Sequence, residues 1–418
     1  MELLPNLGAE EGDDWRAFER EPHVQVAAQL WSHLFSRNVC FRYPAPAPKD
    51  PWLSEPCEDR WPPALGPLPD EPVFPWLEAS EDPTAWLNTS SLEHAAFEAL
   101  GRHLSGPPAE CIAAVHDKAF AIDSARELGL VSRQLEPLIH VLDAESLRSP
   151  DTLIRHLDAL LNDWPDWTGK RFTLKPRLGS SGRGRVAGRD TTETEAVRGA
   201  LPRLADRGGA IFEPWLERLS DLSVVLHVPS PNSSGTLPTV LGSLEMLVTP
   251  SGVFRGHFGE VDSRGRIFSG HRDDESLRAD AAAVAQRASD RGFCGPCGID
   301  AFAYLESDRE ADREALRGLV EFNARTTMGL VTIGLVHRAL PRVRDALELT
   351  PGARRSFLMG FGRPGRGHAD RVGIEASCTE PIYIDLGAPA GESGSHPFLI
   401  FARDGEPLRQ AHRAVLGC

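Results

Sequence analysis

Between about residue 111 and residue 340 the chain alternates segments of helical and strand periodicity, and some strand-like segments follow one another with no helix between them. Strict alternation of strand and helix would build a doubly wound parallel sheet. Strands that succeed each other directly can pair without a crossover helix, so the mixture predicts an α+β fold with a mixed sheet. Apolar spacing predicts helices over 117–129, 153–161, 191–206, 277–291 and 331–340. It predicts strands over 171–176, 210–212, 221–228, 237–248, 253–258, 295–304 and 318–322. Gly129 suits the stop of the first of these helices.

Residues 1–110 have a different texture. They hold about half of the 34 prolines and six of the nine tryptophans, and 43–75 has a proline every few residues. Prolines this frequent disfavour regular helix there. The interspersed aromatic and aliphatic side chains point to an ordered, irregular lobe, because disordered tails are poor in aromatics. Two helices are expected within it, over 16–36 and 91–104. Residues 341–418 offer a Gly/Arg loop, GFGRPGRG at 360–367, and strand candidates at 381–386 and 397–402. The organisation read from the chain is therefore 1–110, 111–208, 209–345 and 346–418.

A net charge of -15 gives no electrostatic footprint for a phosphodiester backbone and no basic cluster for anionic lipid, so nucleic acid and membrane are not expected partners. No apolar run approaches the length of a membrane span, and the acidic N-terminal residues lack the pattern of a secretory signal. Seven scattered cysteines fit a reducing compartment, which makes the cytoplasm the expected location. Of the 45 basic residues only four are lysines: Lys49, Lys118, Lys170 and Lys175. In so Arg-biased a chain a retained lysine suggests a place where a compact point charge serves and a planar fork does not.

Three short elements could carry chemistry. FTLKPRLGSSGRGRV joins a strand to a Ser/Gly-rich turn, with Lys175 at the strand end. Glycines let backbone amides approach an anion closely, and the lysine adds charge; a polar hairpin with a surface lysine has the same pattern. The order of residues is not that of a Walker A loop. In Glu321-Phe322-Asn323-Ala324-Arg325, alternation puts Glu321, Asn323 and Arg325 on one strand face. With Asp300 from the preceding strand, these oxygens form a hard-cation set of the kind that suits magnesium and nucleotide phosphates. A polar strand face with a salt bridge reads the same way. IFEPWLE at 211–217, followed by Asp221, could place an apolar wall beside a purine and an acceptor beside a ribose, or could be a strand end anchored by Trp215.

The order of these elements, with Asp117-Lys118 opening a helix, resembles the ATP-grasp superfamily over residues 111–340. The matching parts are HDKAFAIDSARELGL, FTLKPRLGSSGRGRV, IFEPWLE and LVEFNARTTMG. The last is most similar to the carboxylase branch and the amino-acid ligases near it. The resemblance implies an architecture of lobes clasping ATP: small lobes with the phosphate-binding lysines over 111–208, and a metal and nucleotide lobe over 209–345. It implies Lys118 and Lys175 on the ATP phosphates, a flap including Ser181 and Gly182, and Glu213, Trp215 and Leu216 around the adenine. Asp221 falls on the ribose, Asp300, Glu321 and Asn323 on magnesium, and Arg325 on the acyl phosphate and its oxyanion. Lys175 and Arg325 are thus the catalytic candidates, and ATP and Mg2+ the cofactors.

The implied reaction is ligation: a small carboxylate becomes an acyl phosphate and an amine attacks it, as in amide or peptide bond formation. Ligases of this kind are commonly dimers, so a homodimer is the expected assembly. The chain departs from the D-alanine ligase branch in having Gly298, not arginine, two residues before Asp300. It departs from many carboxylases in having Asp300 in place of Glu, and it carries no biotin-carrier signature. Carboxylase-like activation of bicarbonate and a non-catalytic ATP-binding regulator are the alternatives. Cys294-Gly-Pro-Cys297 matches a redox tetrapeptide, but it follows a predicted helix and leads into a strand, which is not the context that activates such a thiol. His116, His396 with Ser393 and Ser395, and Arg363 and Arg366 in the glycine loop are read as ordinary structure.

Overall fold

The structure is a computed structural model that describes residues 1–7, 22–36, 39–41, 65, 69–179, 184–230, 237–249, 252–307, 312–362, 381–386 and 396–409. In chain order the elements are β1 (Glu2–Leu4), α1 (Pro22–Ser32), β2 (Cys40–Phe41), β3 (Thr84–Ala85), α2 (Ser90–Leu100), α3 (Ala109–His116), α4 (Lys118–Leu128), β4 (His140–Asp143) and α5 (Pro150–Asp163). There follow β5 (Arg171–Pro176), β6 (Val186–Arg189), α6 (Glu195–Asp206), β7 (Gly209–Pro214), β8 (Arg218–Val228), β9 (Thr239–Val248), β10 (Phe254–Asp262), β11 (Ile267–Phe268) and α7 (Asp274–Ser289). The last are β12 (Gly295–Ser307), β13 (Asp312–Asn323), α8 (Met328–Val343), β14 (Arg354–Gly362), β15 (Ile382–Asp385) and β16 (His396–Ala402). The expected α+β architecture is the one observed.

The chain divides into two compact units, one of residues 1–113, 223–298 and 323–418 and the other of residues 114–222 and 299–322. Strands β8, β12 and β13 have residues in both. In the first unit, β1 lies between β2 and β3, parallel to each. A longer antiparallel ladder runs β9–β10–β14–β16–β15, with Phe258 opposite Leu358 and Leu358 opposite Ile400. Phe258, Leu358, Phe398 and Ile400 pack together on one face of it.

The second unit holds a four-stranded sheet in the order β4-β7-β5-β6. Its strands alternate cleanly. Phe172, Leu174, Ala210 and Phe212 point into an apolar cluster with Trp164 and with Leu153, Leu157 and Leu201 from the helices. Thr173, Lys175, Ile211 and Glu213 consequently belong to the opposite face. A second cluster of Ile122, Leu135, Ile139, Ile211, Leu216, Phe302 and Tyr304 packs in the same unit.

Several predicted ends move for local reasons. Helix α4 starts and stops as expected: Asp117 caps it by accepting from the Ala119 amide at 2.8 Å, and Gly129 closes it with φ 68°. Helix α2 ends at Leu100, not at 104, because Gly101 turns left-handed and its amide bonds Phe97 O. Helix α6 begins at Glu195, not at 191, because Thr194 is its cap and Thr192 is held by Asp158. Strand β14 is an element the sequence reading missed, and much of the Gly/Arg loop lies outside the described residues. Among the described residues no helix is long and apolar enough to cross a membrane.

Candidate functional site

Lys118 is the first residue of α4 and is almost wholly buried. The helix start is pinned from two sides. Arg177 donates to both carboxylate oxygens of Asp117, at 3.1 and 2.5 Å, and the Lys118 amide donates to Arg177 O at 3.2 Å. With the backbone fixed, the Lys118 ammonium donates to Gly179 O at 2.6 Å and stands 2.9 Å from Glu321 Oε1. Burial would raise the Glu321 carboxyl, but Lys118 and Lys175 outweigh it and hold it below its ordinary value.

A second ionic group lies on the polar face of the sheet. Strands β5 and β7 pair antiparallel with Thr173 opposite Glu213 and Lys175 opposite Ile211, so Lys175 and Glu213 are diagonal neighbours. Lys175 Nζ is 2.8 Å from Glu213 Oε1, and Arg317 Nη2 from β13 is 2.9 Å from Glu213 Oε2. Arg317 and Glu213 are both deeply buried, with side chains 2% and 5% exposed. Burial opposes ionisation of Glu213, yet Arg317 and Lys175 bring its carboxyl down to about 2. Burial also pulls Lys175 below the usual lysine range, and Arg317 and Lys118 add to that against the attraction of Glu213. Three cations and two carboxylates therefore share this face of the unit.

Beyond β7 the chain turns with the Trp215 amide bonded to Arg171 O at 2.9 Å. The Trp215 ring lies under two guanidinium groups, Arg185 at 4.2 Å and Arg218 at 5.0 Å. Arg218 also donates to Asp221 at 2.5 Å and covers the Phe302 ring at 4.7 Å. Leu216 is buried in the cluster with Phe302 and Tyr304.

Of the proposed metal set, Asp300 is a half-buried residue of β12, and Glu321 and Asn323 are alternate residues of β13. Arg325 donates to Thr326 O at 3.0 Å and weakly to Asn323 Oδ1 at 3.4 Å. Ser181 and Gly182, the flap candidates, lie outside the described residues, as do Arg363, Arg366, Ser393 and Ser395.

The structure thus joins Lys118 to Glu321, Lys175 to Glu213, and Arg325 to Asn323. It assigns Glu213 an ionic role that sequence reasoning did not foresee. Sequence reasoning also missed Arg317, Arg177, Arg185 and Arg218. For Arg317 a signal existed: it shares the parity of Glu321 on the strand, which places both on one face. In a chain so rich in arginine that parity was not distinctive. The Cys294 and Cys297 thiols are both raised by burial, the second far above the range of a reactive thiolate, which agrees with their lack of a redox context.

No protein-family model matches the chain, and no curated protein matches it either. Solved structures do. N5-carboxyaminoimidazole ribonucleotide synthetase from Thermus thermophilus is 17% identical, with 100% of this chain and 97% of that chain covered and a TM-score of 0.50. N5-carboxyaminoimidazole synthetase from Staphylococcus aureus is 10% identical at the same coverage and TM-score. The biotin carboxylase domain of 2-oxoglutarate carboxylase from Hydrogenobacter thermophilus is 13% identical over 99% of this chain and 88% of that chain, with a TM-score of 0.48. The likeness is one of fold: the protein has the ATP-grasp fold.

Proposed function

We propose that the protein is an ATP-dependent ligase that activates a small carboxylate as an acyl phosphate for attack by an amine, releasing ADP and phosphate. The observation that supports this most is the buried ionic face of Lys118, Lys175, Arg317, Glu213 and Glu321 within an ATP-grasp fold. Buried ammonium and guanidinium groups at low dielectric are suited to a polyanion such as a nucleoside triphosphate.

On this reading Lys118 and Lys175 exchange their carboxylate partners for phosphate oxygens. The carboxylate oxygen of the acid substrate bonds the γ-phosphorus while the bond from that phosphorus to the β-bridging oxygen breaks. The amine nitrogen then bonds the acyl carbon, phosphate leaves with the C–O electrons, and the amine gives up a proton. The lysines stabilise charge gathering on the leaving diphosphate, and Arg325 stabilises the acyl phosphate and oxyanion. Trp215 and Leu216 offer the apolar surface for a purine, with Asp221 as the acceptor for a ribose.

Asp300, Glu321 and Asn323 offer two carboxylates and an amide, all oxygen donors, a set that fits magnesium, and Lys118 stands 2.9 Å from Oε1 of Glu321. Magnesium bound there supplies neutralisation of phosphate charge.

The test is phosphate release from ATP and Mg2+ against a panel of amino acids and small carboxylates, with and without amines, and with bicarbonate as a separate arm. Release that requires an acid–amine pair is the expected result. Release with bicarbonate alone would replace ligation with carboxylation, and nucleotide binding with no stimulated release would favour a regulator.

A further inference from the structure

Glu213 is the one carboxylate of the ionic face held at both oxygens by different cations, Lys175 at Oε1 and Arg317 at Oε2. A buried carboxylate that loses its partner is costly, because its desolvation is no longer offset. Lys175 is therefore not free to turn toward a ligand unless Glu213 keeps a counter-ion. Arg317 supplies one that stays in place. Its backbone is fixed in β13, its side chain is buried, and its guanidinium rests 5.7 Å from the Phe302 ring, against the cluster of Ile211, Leu216 and Tyr304. Arginine suits this role better than a second lysine, since its planar fork is pre-organised and less hydrated.

We propose that Arg317 is a positioning residue that anchors Glu213 through Oε2, so that Lys175 can release Oε1 and take an anionic ligand without stranding a buried charge. This rests on the reading of Lys175 as a phosphate-binding residue. It goes beyond that reading in assigning a second counter-ion and an exchange of partners. Arg317 acts through Glu213 and need not touch the ligand.

The experiment is a double-mutant cycle on the full chain, with Arg317→Met, Glu213→Gln and the combination. Binding of MgATP and MgADP is read by titration calorimetry, and labelling of the Lys175 amine by an acylating reagent is read by mass spectrometry without nucleotide. Arg317→Met is expected to weaken nucleotide binding by about tenfold or more and to slow Lys175 labelling, because Glu213 then holds the lysine alone. In the Glu213→Gln background the same change should have little effect on either. Equal losses in both backgrounds would overturn the proposal, since Arg317 would then act on the ligand or through its charge at a distance. If Arg317→Met fails to fold, Arg317→Lys decides: it should keep nucleotide affinity within a few-fold, and a tenfold loss would count against the anchoring role. Should none of the proteins bind nucleotide, the ligase reading fails by itself, and the labelling rates still decide whether Arg317 governs Lys175.

Discussion

Lys118, at the head of α4, and Glu321, two residues from the end of β13, meet as a buried pair 2.9 Å apart. The pair fastens a helix start to a strand end within one unit, and the other contact of the ammonium, Gly179 O at 2.6 Å, draws in the chain just beyond β5. A change at either member is felt by the ionic face and by the backbone at Gly179 together.

Glu321→Gln should separate chemistry from folding. The amide keeps the side-chain volume and leaves Lys118 an acceptor oxygen, while the charge that serves magnesium is gone. Substrate-dependent phosphate release should fall by on the order of a hundredfold, about 2.7 kcal/mol of barrier. The chain should still fold, with a lowered melting temperature because buried Lys118 loses its counter-ion. Undiminished turnover in the folded variant would remove Glu321 from the metal set.

Lys175→Met should weaken ATP binding by roughly tenfold to a hundredfold, the loss of one charge-assisted contact at low dielectric. The fold should tolerate it, because Glu213 still has Arg317 at 2.9 Å. Equilibrium titration with MgATP checks the affinity, and unaltered affinity would end the phosphate assignment. A circular dichroism spectrum indistinguishable from that of the parent is the accompanying expectation.

The elements carrying these residues were legible in the sequence because their signals are local. Asp117 and Gly129 mark the ends of α4 by capping chemistry. Strand β5 reads from the alternation of Phe172 and Leu174 with Thr173 and Lys175. The ionic partnerships were not legible, because they depend on which strands are neighbours. Nothing local says that β7 lies beside β5 and brings Glu213 diagonal to Lys175. Strand β14 escaped for a related reason: RRSFLMGFG has no clear alternation, since its central residues are buried on both faces between β10 and β16.

The acid limb of stability should carry the mark of Glu213. Its carboxyl is held at about 2 by Arg317 and Lys175 against an ordinary value of 4.5. A depressed folded value means that its contribution is fully present above the unfolded value and is lost as the pH falls from about 4.5 toward 2. Unfolding free energies by urea between pH 5 and pH 2.5 should therefore fall more steeply in the parent than in Glu213→Gln. The slopes should differ by up to about 1.4 kcal/mol per pH unit. Parallel slopes would mean that Glu213 titrates normally and that the ion pairs are not formed in solution.

The strand that presents Glu213 depends on one close backbone approach. Gly209 opens β7 with φ 122°, and a β-carbon there would sit 2.2 Å from Leu142 O in β4, the strand it pairs with. Its neighbour Gly208 has φ 78° but open space around it. Alanine at either position forces a left-handed backbone on an L-residue, which costs about 1 kcal/mol. Only at Gly209 must the β4–β7 ladder also give way, for a total loss of about 2–4 kcal/mol. Urea unfolding of the two variants side by side isolates the second effect from the first. Gly209→Ala should lose markedly more stability than Gly208→Ala and should also lose nucleotide affinity, because the displaced strand carries Glu213 away from Lys175 and Arg317. Equal losses at the two positions would show that the β4–β7 ladder yields freely and that the ionic face does not depend on the tight β4–β7 approach.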